Sequence, residues 1–310
     1  MNSSTMVSVL LLSWNHEKYI EQSVRSVIGQ TYRDIEIIYA DNNSSDNTFI
    51  IAQNILKDSG LKYKAFKREK NFTISQNLNF LFSKSSGEFL CVLSADDWLH
   101  PMNIEKKLNP FAKNDLVGLV YSNGFIYYDD INIYEPEIAT MSGADLVQEL
   151  LQRNFILGTG CVIRREAILS AGLWDEDLLI EDWDMWIRIS MNSTIETVDA
   201  FLFYYRKHAA AISENAEFMY KAKKHVLDKY KEINNNCDQS DRNIWETNIS
   251  QIVRGYSSIG LTLQIFKRAK PNVFYVKLIL KSLIPFFLKR KYFIRSLKKK
   301  YAKNGAPDLL

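Results

Sequence analysis

Along the first third of the chain, apolar positions come in blocks whose spacing switches between the strand and the helix repeat. Residues Val7–Ser13 form a nearly continuous apolar run, as expected of a strand buried on both faces. After it, Ile20, Val24, Val27 and Ile28 recur at helical spacing and put one apolar stripe on a helix. Residues 35–40 predict a second strand. Residues 47–57 predict a second helix, with Ile51, Ala52, Ile55 and Leu56 inward and the Ser and Asp residues of the turn 41–46 available to cap it. Residues 63–66 predict a third strand, 75–85 a helix with Leu78, Leu81 and Phe82 inward, and 89–93 a fourth strand. Strands alternating with helices imply a parallel sheet flanked by helices. Ligands of such sheets gather outside the carboxyl ends of the strands, where residues 13–16, 41–43 and the pair Asp96-Asp97 would converge.

The stretch 90–98 stands out because an apolar strand ends in two adjacent carboxylates, Asp96 and Asp97, followed by Trp98 and, shortly after, Pro101. Neighbouring carboxylates repel. Open solvent, a shared proton or a hard cation such as Mg²⁺ or Mn²⁺ relieves the repulsion, so the pair reads either as a solvated acidic turn or as a metal site.

Composition narrows these choices. With 310 residues, 46% hydrophobic and 13% aromatic, the chain can bury a large core and is not predominantly disordered. Cys91, Cys161 and Cys237 are odd in number and far apart, which fits neither a disulfide framework nor a zinc spacing and suggests a reducing cytoplasm. The first residues lack the basic region and length of a signal peptide.

The net charge of +3 hides a strong asymmetry: between Thr247 and Pro307 there are fourteen Lys and Arg and no Asp or Glu, which leaves the remainder at −11. Such segregation points to a polyanionic partner for the tail alone. Residues 273–288 are very apolar but are interrupted by Lys277, Lys281 and Pro285 and fall short of a membrane span. They fit an interfacial segment whose following lysines meet anionic lipid headgroups, or a packed helical cap with a solvated basic edge. Nothing in the tail resembles a nucleic-acid module, and no nucleic acid is expected as a partner.

Four landmarks recur in order: Val-Ser-Val-Leu-Leu-Leu-Ser-Trp-Asn at 7–15 with Gln-Thr-Tyr at 30–32; Ile-Tyr-Ala-Asp-Asn-Asn-Ser-Ser-Asp at 38–46; Gly-Glu-Phe-Leu-Cys-Val-Leu-Ser-Ala-Asp-Asp at 87–97; and Gly-Leu-Trp-Asp at 172–175, followed by Glu-Asp-Trp-Asp-Met-Trp-Ile-Arg at 181–188. Together they resemble family 2 glycosyltransferases, inverting enzymes of the GT-A fold that use nucleotide-diphosphate sugars. The resemblance runs from Met6 to about Ser213. It implies an α/β, Rossmann-like, mostly parallel sheet flanked by helices. Residues 1–215 would be the catalytic domain and residues 216–310 a helical, basic extension.

It also implies site roles. Asp97 would hold Mn²⁺ or Mg²⁺, with Asp96 supporting and His208 as a further ligand. Ser13, Asn15, Asp41, Asn42, Asn77, Ser94, Asp96 and Arg206 would line the nucleotide-sugar site. Asp182 would be the base that deprotonates the acceptor hydroxyl, with Glu181 beside it to orient the acceptor. Taken alone, residues 181, 182 and 184 are equally the acidic first turn of an amphipathic helix. Arg188 is expected to pair with a nearby acid, His16 to lie at the surface of the nucleotide mouth, and Trp98 to pack in the core or to offer a platform to the acceptor.

The chain departs from the family pattern in having Asn42 beside Asp41 where two Asp are common, in lacking the Gly and Arg usual around residues 71–77, and in having Ser94 where an Asp is frequent. The implied donor is a nucleotide sugar, with a uridine diphosphate sugar favoured. The implied acceptor is a lipid-linked glycan at the inner face of a bacterial cell membrane, in surface polysaccharide synthesis. A nucleotidyltransferase would be expected to show a Gly-rich, basic phosphate loop after the first strand, where this chain has Ser-Trp-Asn-His-Glu at 13–17. A non-catalytic nucleotide-sugar-binding module is the other alternative, favoured by Asn42 and Gln76 and opposed by Asp96, Asp97 and Asp182.

Overall fold

The computed structural model of the protein describes residues 5–139, 141–240, 243–244 and 286–301. In chain order its elements are β1 (Val7–Ser13), α1 (Ile20–Ile28), β2 (Ile35–Asp41), α2 (Thr48–Lys57), β3 (Lys62–Lys67), α3 (Ile74–Lys84), β4 (Phe89–Ser94), β5 (Trp98–Leu99), α4 (Asn103–Lys113), β6 (Val117–Tyr128), β7 (Ile133–Glu137), α5 (Val147–Gln152), β8 (Val162–Arg164), α6 (Arg165–Ser170), α7 (Glu181–Ser190), β9 (Thr194–Lys207), α8 (Ala216–Lys229) and α9 (Phe286–Tyr301).

The strands among the described residues join one sheet in the order β3-β2-β1-β4-β8-β6-β9-β5, with β7 beside β6. Its first half is parallel, as the βαβ alternation predicts: β1 lies between β2 and β4, and β2 pairs β3. The register matches Ser13 with Asp41 and Leu12 with Ser94, so the three strands end together and their loops open on one edge. Beyond β4 the sheet changes character, because β8 runs antiparallel to β4 and to β6, and β5 antiparallel to β9. This mixed half joins the short β5 and β8 to the long β6 and β9, pairings between segments far apart in the chain that no local periodicity announces.

Val7, Val9 and Leu11 of β1 face one core with Ile20, Val24 and Val27 of α1 and Ala52 and Leu56 of α2. Leu10 and Ile38 are buried outside that cluster, and α3 packs along β1 and β2. β1 is therefore covered on both faces, which is why it lacks an alternating pattern. Each fully buried aliphatic side chain here contributes about 1.5–3 kcal/mol, and Leu10→Ala would cost about 2–5 kcal/mol. α3 starts one residue earlier than the apolar spacing suggests because Thr73 and Gln76 form a capping box: Thr73 Oγ1 accepts from the Gln76 N–H and Gln76 Oε1 from the Thr73 N–H.

By compactness the chain divides into two units, the first made of Met1–Ile126, Pro136–Leu150 and Asn154–Arg206 and the second of Tyr127–Glu135, Leu151–Arg153 and Lys207–Leu310. In the second unit, Arg290 of α9 pairs with Asp130 and the Phe293 ring stands edge-on to Tyr128 at 5.7 Å. Leu297 is buried, while Lys291, Arg295 and Lys298 to Lys300 are exposed. α9 thus has a packed face and a basic solvated face. The expected interfacial segment lies outside the described residues over 273–285. No helix among the described residues is long and apolar enough to cross a membrane.

Candidate active site

The loops after β1 and β2 are tied to each other before any ligand is considered. Asn15, held at φ 56°, accepts the Ser45 N–H at 2.9 Å, and its own N–H donates to Ser44 Oγ at 2.8 Å. The His16 N–H donates to Thr48 Oγ1 at 2.8 Å, and the Glu17 carboxylate accepts from the Asn47 N–H at 3.0 Å. Asp46 caps the start of α2 by accepting the Thr48 N–H at 3.1 Å. Beneath them Asp41 is fully buried: Oδ1 accepts the Ser44 N–H, and Oδ2 accepts the hydroxyls of Ser44 and Ser13. Asn42 exchanges two hydrogen bonds with the Phe72 backbone, at 3.0 and 2.9 Å, so its amide staples the loop before α3.

At the tip of β4 the two aspartates part. Asp97 is 2% exposed; Oδ2 accepts the Thr159 hydroxyl and Oδ1 the Arg206 N–H at 2.7 Å. Burial, reinforced by the neighbouring Asp96, raises its pKa well above the usual carboxylate range. Asp96 stays nearer the surface, where Oδ1 accepts the Ser94 hydroxyl at 2.5 Å and Oδ2 lies 3.9 Å from His16 Nε2.

Arg206 fixes this arrangement. Its Nε donates to the Asp96 carbonyl at 2.8 Å and Nη2 to Gln22 Oε1 at 2.6 Å, while the guanidinium lies 4.7 Å from the Trp98 ring centre and 4.5 Å from that of Tyr19. Trp98 stacks in turn on Tyr204, 4.7 Å away and within 5° of parallel.

The second acid pair opens α7. Asp182 Oδ1 accepts its neighbour Trp183's N–H at 2.5 Å and the Asn154 amide at 3.3 Å. Burial and then the Asp182 charge push Glu181 up to about 8. Asp184 is buried and takes a two-pronged contact from Arg188, at 2.5 and 2.8 Å. Residues 158–160 reach both acid pairs: Thr159 holds Asp97, and a Cβ placed on Gly158 would stand 3.5 Å from Asp182 Cβ.

This geometry meets a clear kinship. A family model for glycosyl transferase family 2 matches residues 8–172, more than half of the chain. The chain belongs to that family. A Rickettsia felis glycosyltransferase is 25% identical over 210 residues, covering 66% of this chain but only 34% of that protein; the chain spans about a third of this relative's length. Among solved structures, TarS 1–349 of S. aureus in complex with UDP-GlcNAc superposes with a TM-score of 0.61 at 14% identity, covering 96% of this chain and 92% of that one. The Pyrobaculum calidifontis mannosyltransferase PcManGT in complex with GDP-Man and Mn²⁺ gives 0.54 at 12% identity, covering 98% and 76%. The fold is that of GT-A glycosyltransferases.

Within this family 2 fold, Ser13, Asp41 and Ser94 end β1, β2 and β4, and Asn15, Asn42 and Asp96 follow on the loops of the same sheet edge. Asn77 is buried in α3, its Nδ2 on the Thr73 carbonyl and its Oδ1 without a hydrogen-bond partner. Three residues sit differently from expectation. Asp97, expected to carry the cation, has each carboxylate oxygen committed to a protein donor in the interior. Arg206, expected on the diphosphate, is buried as a structural clamp. His16, expected at the surface, is half-buried beside Asp96. For Asp97 and Arg206 the difference has one origin: Thr159 and the Arg206 N–H are remote in sequence from Asp97, and no spacing rule brings them to it. Trp98 packs in the core, one of its two expected places, and Arg188 pairs with a helix acid as expected. Sequence reasoning passed over Thr159 and Gly158, although a Thr set between two glycines was a visible signal.

Proposed function

We propose that the chain is an inverting glycosyltransferase that moves a sugar from a nucleoside-diphosphate sugar to the hydroxyl of an acceptor. The observation that carries this reading is the bridging of two acid pairs by residues 158–160, one pair at the tip of β4 and the other at the start of α7. Asp182 acts as general base. It takes the acceptor's proton as that oxygen attacks the anomeric carbon from the face opposite the diphosphate, so that the new glycosidic bond forms as the bond to the diphosphate breaks. Glu181, with its pKa raised to about 8, keeps its proton at neutral pH and offers an O–H to the acceptor, leaving the negative charge of the pair on Asp182.

The residues present fit a divalent cation. Asp96 supplies a carboxylate oxygen and His16 a ring nitrogen 3.9 Å from it, and His208 is proposed as the second imidazole ligand. Two imidazoles with one carboxylate suit Mn²⁺ better than Mg²⁺, which prefers oxygen ligands. Such an ion, when bound, neutralises charge on the departing diphosphate. Asp97 serves this site from behind, orienting the β4 tip through Thr159 and the Arg206 backbone.

Support for the donor class comes from family membership, and the complexes of the fold relatives with UDP-GlcNAc and with GDP-Man and Mn²⁺ are consistent with it. The proposed acceptor is a lipid-linked glycan in surface polysaccharide synthesis. The exposed lysines of α9 would hold the protein on an anionic membrane face, each adding about 1 kcal/mol near the surface.

The test is transfer and donor hydrolysis with a panel of uridine, guanosine and thymidine diphosphate sugars, with and without Mn²⁺. Turnover of one donor that disappears on chelation supports the reading. Turnover unaffected by chelation would sink the cation, and no turnover of any donor would sink the transferase.

A further inference from the structure

Lys107 of α4 is completely enclosed. An enclosed ammonium loses its hydration, and burial lowers Lys107 to about 8. Its Nζ donates to the Gly160 carbonyl at 2.8 Å, and Asn103, one helical turn earlier, donates to the same oxygen at 3.1 Å. From the other side the Gly160 N–H donates to the Val92 carbonyl of β4 at 2.9 Å. The peptide is thus held from helix and sheet at once. Gly160 has φ +70°, and a Cβ there would stand 2.7 Å from Leu99 Cδ2 and 3.2 Å from Asn103 Oδ1, so the carbonyl comes this close to α4 only because the residue is glycine.

What hangs on this clamp is the bridge between the acid pairs. Thr159, one residue back, donates to Asp97. Gly158 lies against Asp182: a Cβ added there would sit in ordinary van der Waals contact, 3.6 Å from Asp182 Oδ2 and 3.7 Å from Trp186. The Gly158 carbonyl accepts the Cys161 N–H at 3.2 Å, closing the turn on itself. A shift of Gly160 therefore moves Thr159 and Gly158 together.

We propose that Lys107 is a positioning residue for glycosyl transfer: by holding the Gly160 carbonyl it fixes residues 158–160, and through them the placement of Asp97 and Asp182 relative to each other. Lys107 touches no substrate. The inference rests on the reading of Asp182 as the base and Asp96 as the cation-side carboxylate.

The experiment uses the full chain with Lys107→Met, Lys107→Gln, Thr159→Val and the Lys107→Met/Thr159→Val double variant. Circular dichroism checks the fold, and the donor is the nucleotide sugar best turned over by the wild type in Mn²⁺. Lys107→Met is expected to lower kcat by roughly tenfold or more, because small displacements of a catalytic group are costly, while the donor KM stays within about twofold. Lys107→Gln, which retains an N–H donor, should recover part of that loss. The double variant should be no slower than the slower single variant, since both act along one path.

Peptide-level hydrogen exchange over residues 156–162 supplies a readout that needs no activity: exchange should be faster in Lys107→Met than in the wild type. An unchanged kcat per folded molecule, additive losses in the double variant, or unchanged exchange over 156–162 would each overturn the proposal. A wild type that turns over no donor would instead count against the transferase reading, and hydrogen exchange would still decide whether Lys107 holds the segment.

Discussion

Asp96-Asp97 and Glu181-Asp182 are both adjacent carboxylates, and each pair faces the same electrostatic difficulty. At the β4 tip the fold separates the two in space, sending Asp97 inward to Thr159 and the Arg206 N–H and leaving Asp96 beside His16. At the α7 start neither acid is withdrawn so fully. Asp182 is capped by a backbone N–H and Asn154, while Glu181 retains its proton to about pH 8. The first pair is thus parted, with hydrogen-bond donors holding Asp97 in the interior and Asp96 left as the carboxylate that suits a cation. The second keeps a proton on Glu181 and the charge on Asp182, and suits proton transfer. What an acid pair can do is set less by the acids than by the donors that the rest of the chain brings to them.

The largest effect expected of breaking this contrast is at the base. Asp182→Asn should lower kcat by about 10²–10⁴ with the circular dichroism spectrum unchanged. Removing the clamp behind the first pair should act on stability. Arg206→Ala loses hydrogen bonds to the Asp96 carbonyl and Gln22 and two ring contacts, so a fall of about 3 kcal/mol in urea unfolding is expected, at roughly 1.5 kcal/mol for each hydrogen bond of the charged group.

A smaller loss is predicted for Asn42→Asp. A carboxylate cannot donate to the Phe72 carbonyl, so the variant should be about 1–3 kcal/mol less stable by the same measurement, with no gain in uridine nucleotide affinity. The subtlest effect is the pH trend of Glu181→Gln. A carboxyl whose folded pKa is raised contributes stability that is present below the unfolded pKa and lost as pH climbs to the folded value. The wild type should therefore weaken relative to the variant between about pH 4.5 and about pH 8. The Tm of Glu181→Gln minus that of the wild type should rise with pH across that window, and a constant difference would refute the raised Glu181 pKa.

The parallel half of the fold was legible because each strand there is a continuous apolar run followed by a helix with an apolar stripe, and register then follows from packing. The antiparallel half was not: β5 has two residues and β8 three, too few to show a period, and the long β6 and β9 are joined to them by pairings remote in sequence. At the site, the acids could be read from their position after strands. Their division of labour could not, since it depends on Thr159 and Arg206, separated from Asp97 by most of the mixed half of the sheet. Asn42 teaches the same point. Its departure from the family pattern suggested altered base reading, whereas in the structure the amide is occupied in stapling Phe72. Lys107 carried no signal at all, because a lone lysine in an amphipathic helix reads as a solvated residue until its carbonyl partner is known.

The division of labour at the β4 tip is tested most directly by titrating Mn²⁺ into the wild type, Asp96→Asn and Asp97→Asn in the presence of uridine diphosphate, with bound ion read by electron paramagnetic resonance. Asp97→Asn keeps the side chain's shape and an oxygen to accept the Arg206 N–H, so its Mn²⁺ affinity should stay within about threefold of the wild type. Asp96→Asn should lose roughly tenfold or more, as expected when an anionic ligand to a divalent ion becomes neutral. The opposite order, with Asp97→Asn abolishing binding and Asp96→Asn leaving it intact, would contradict the account.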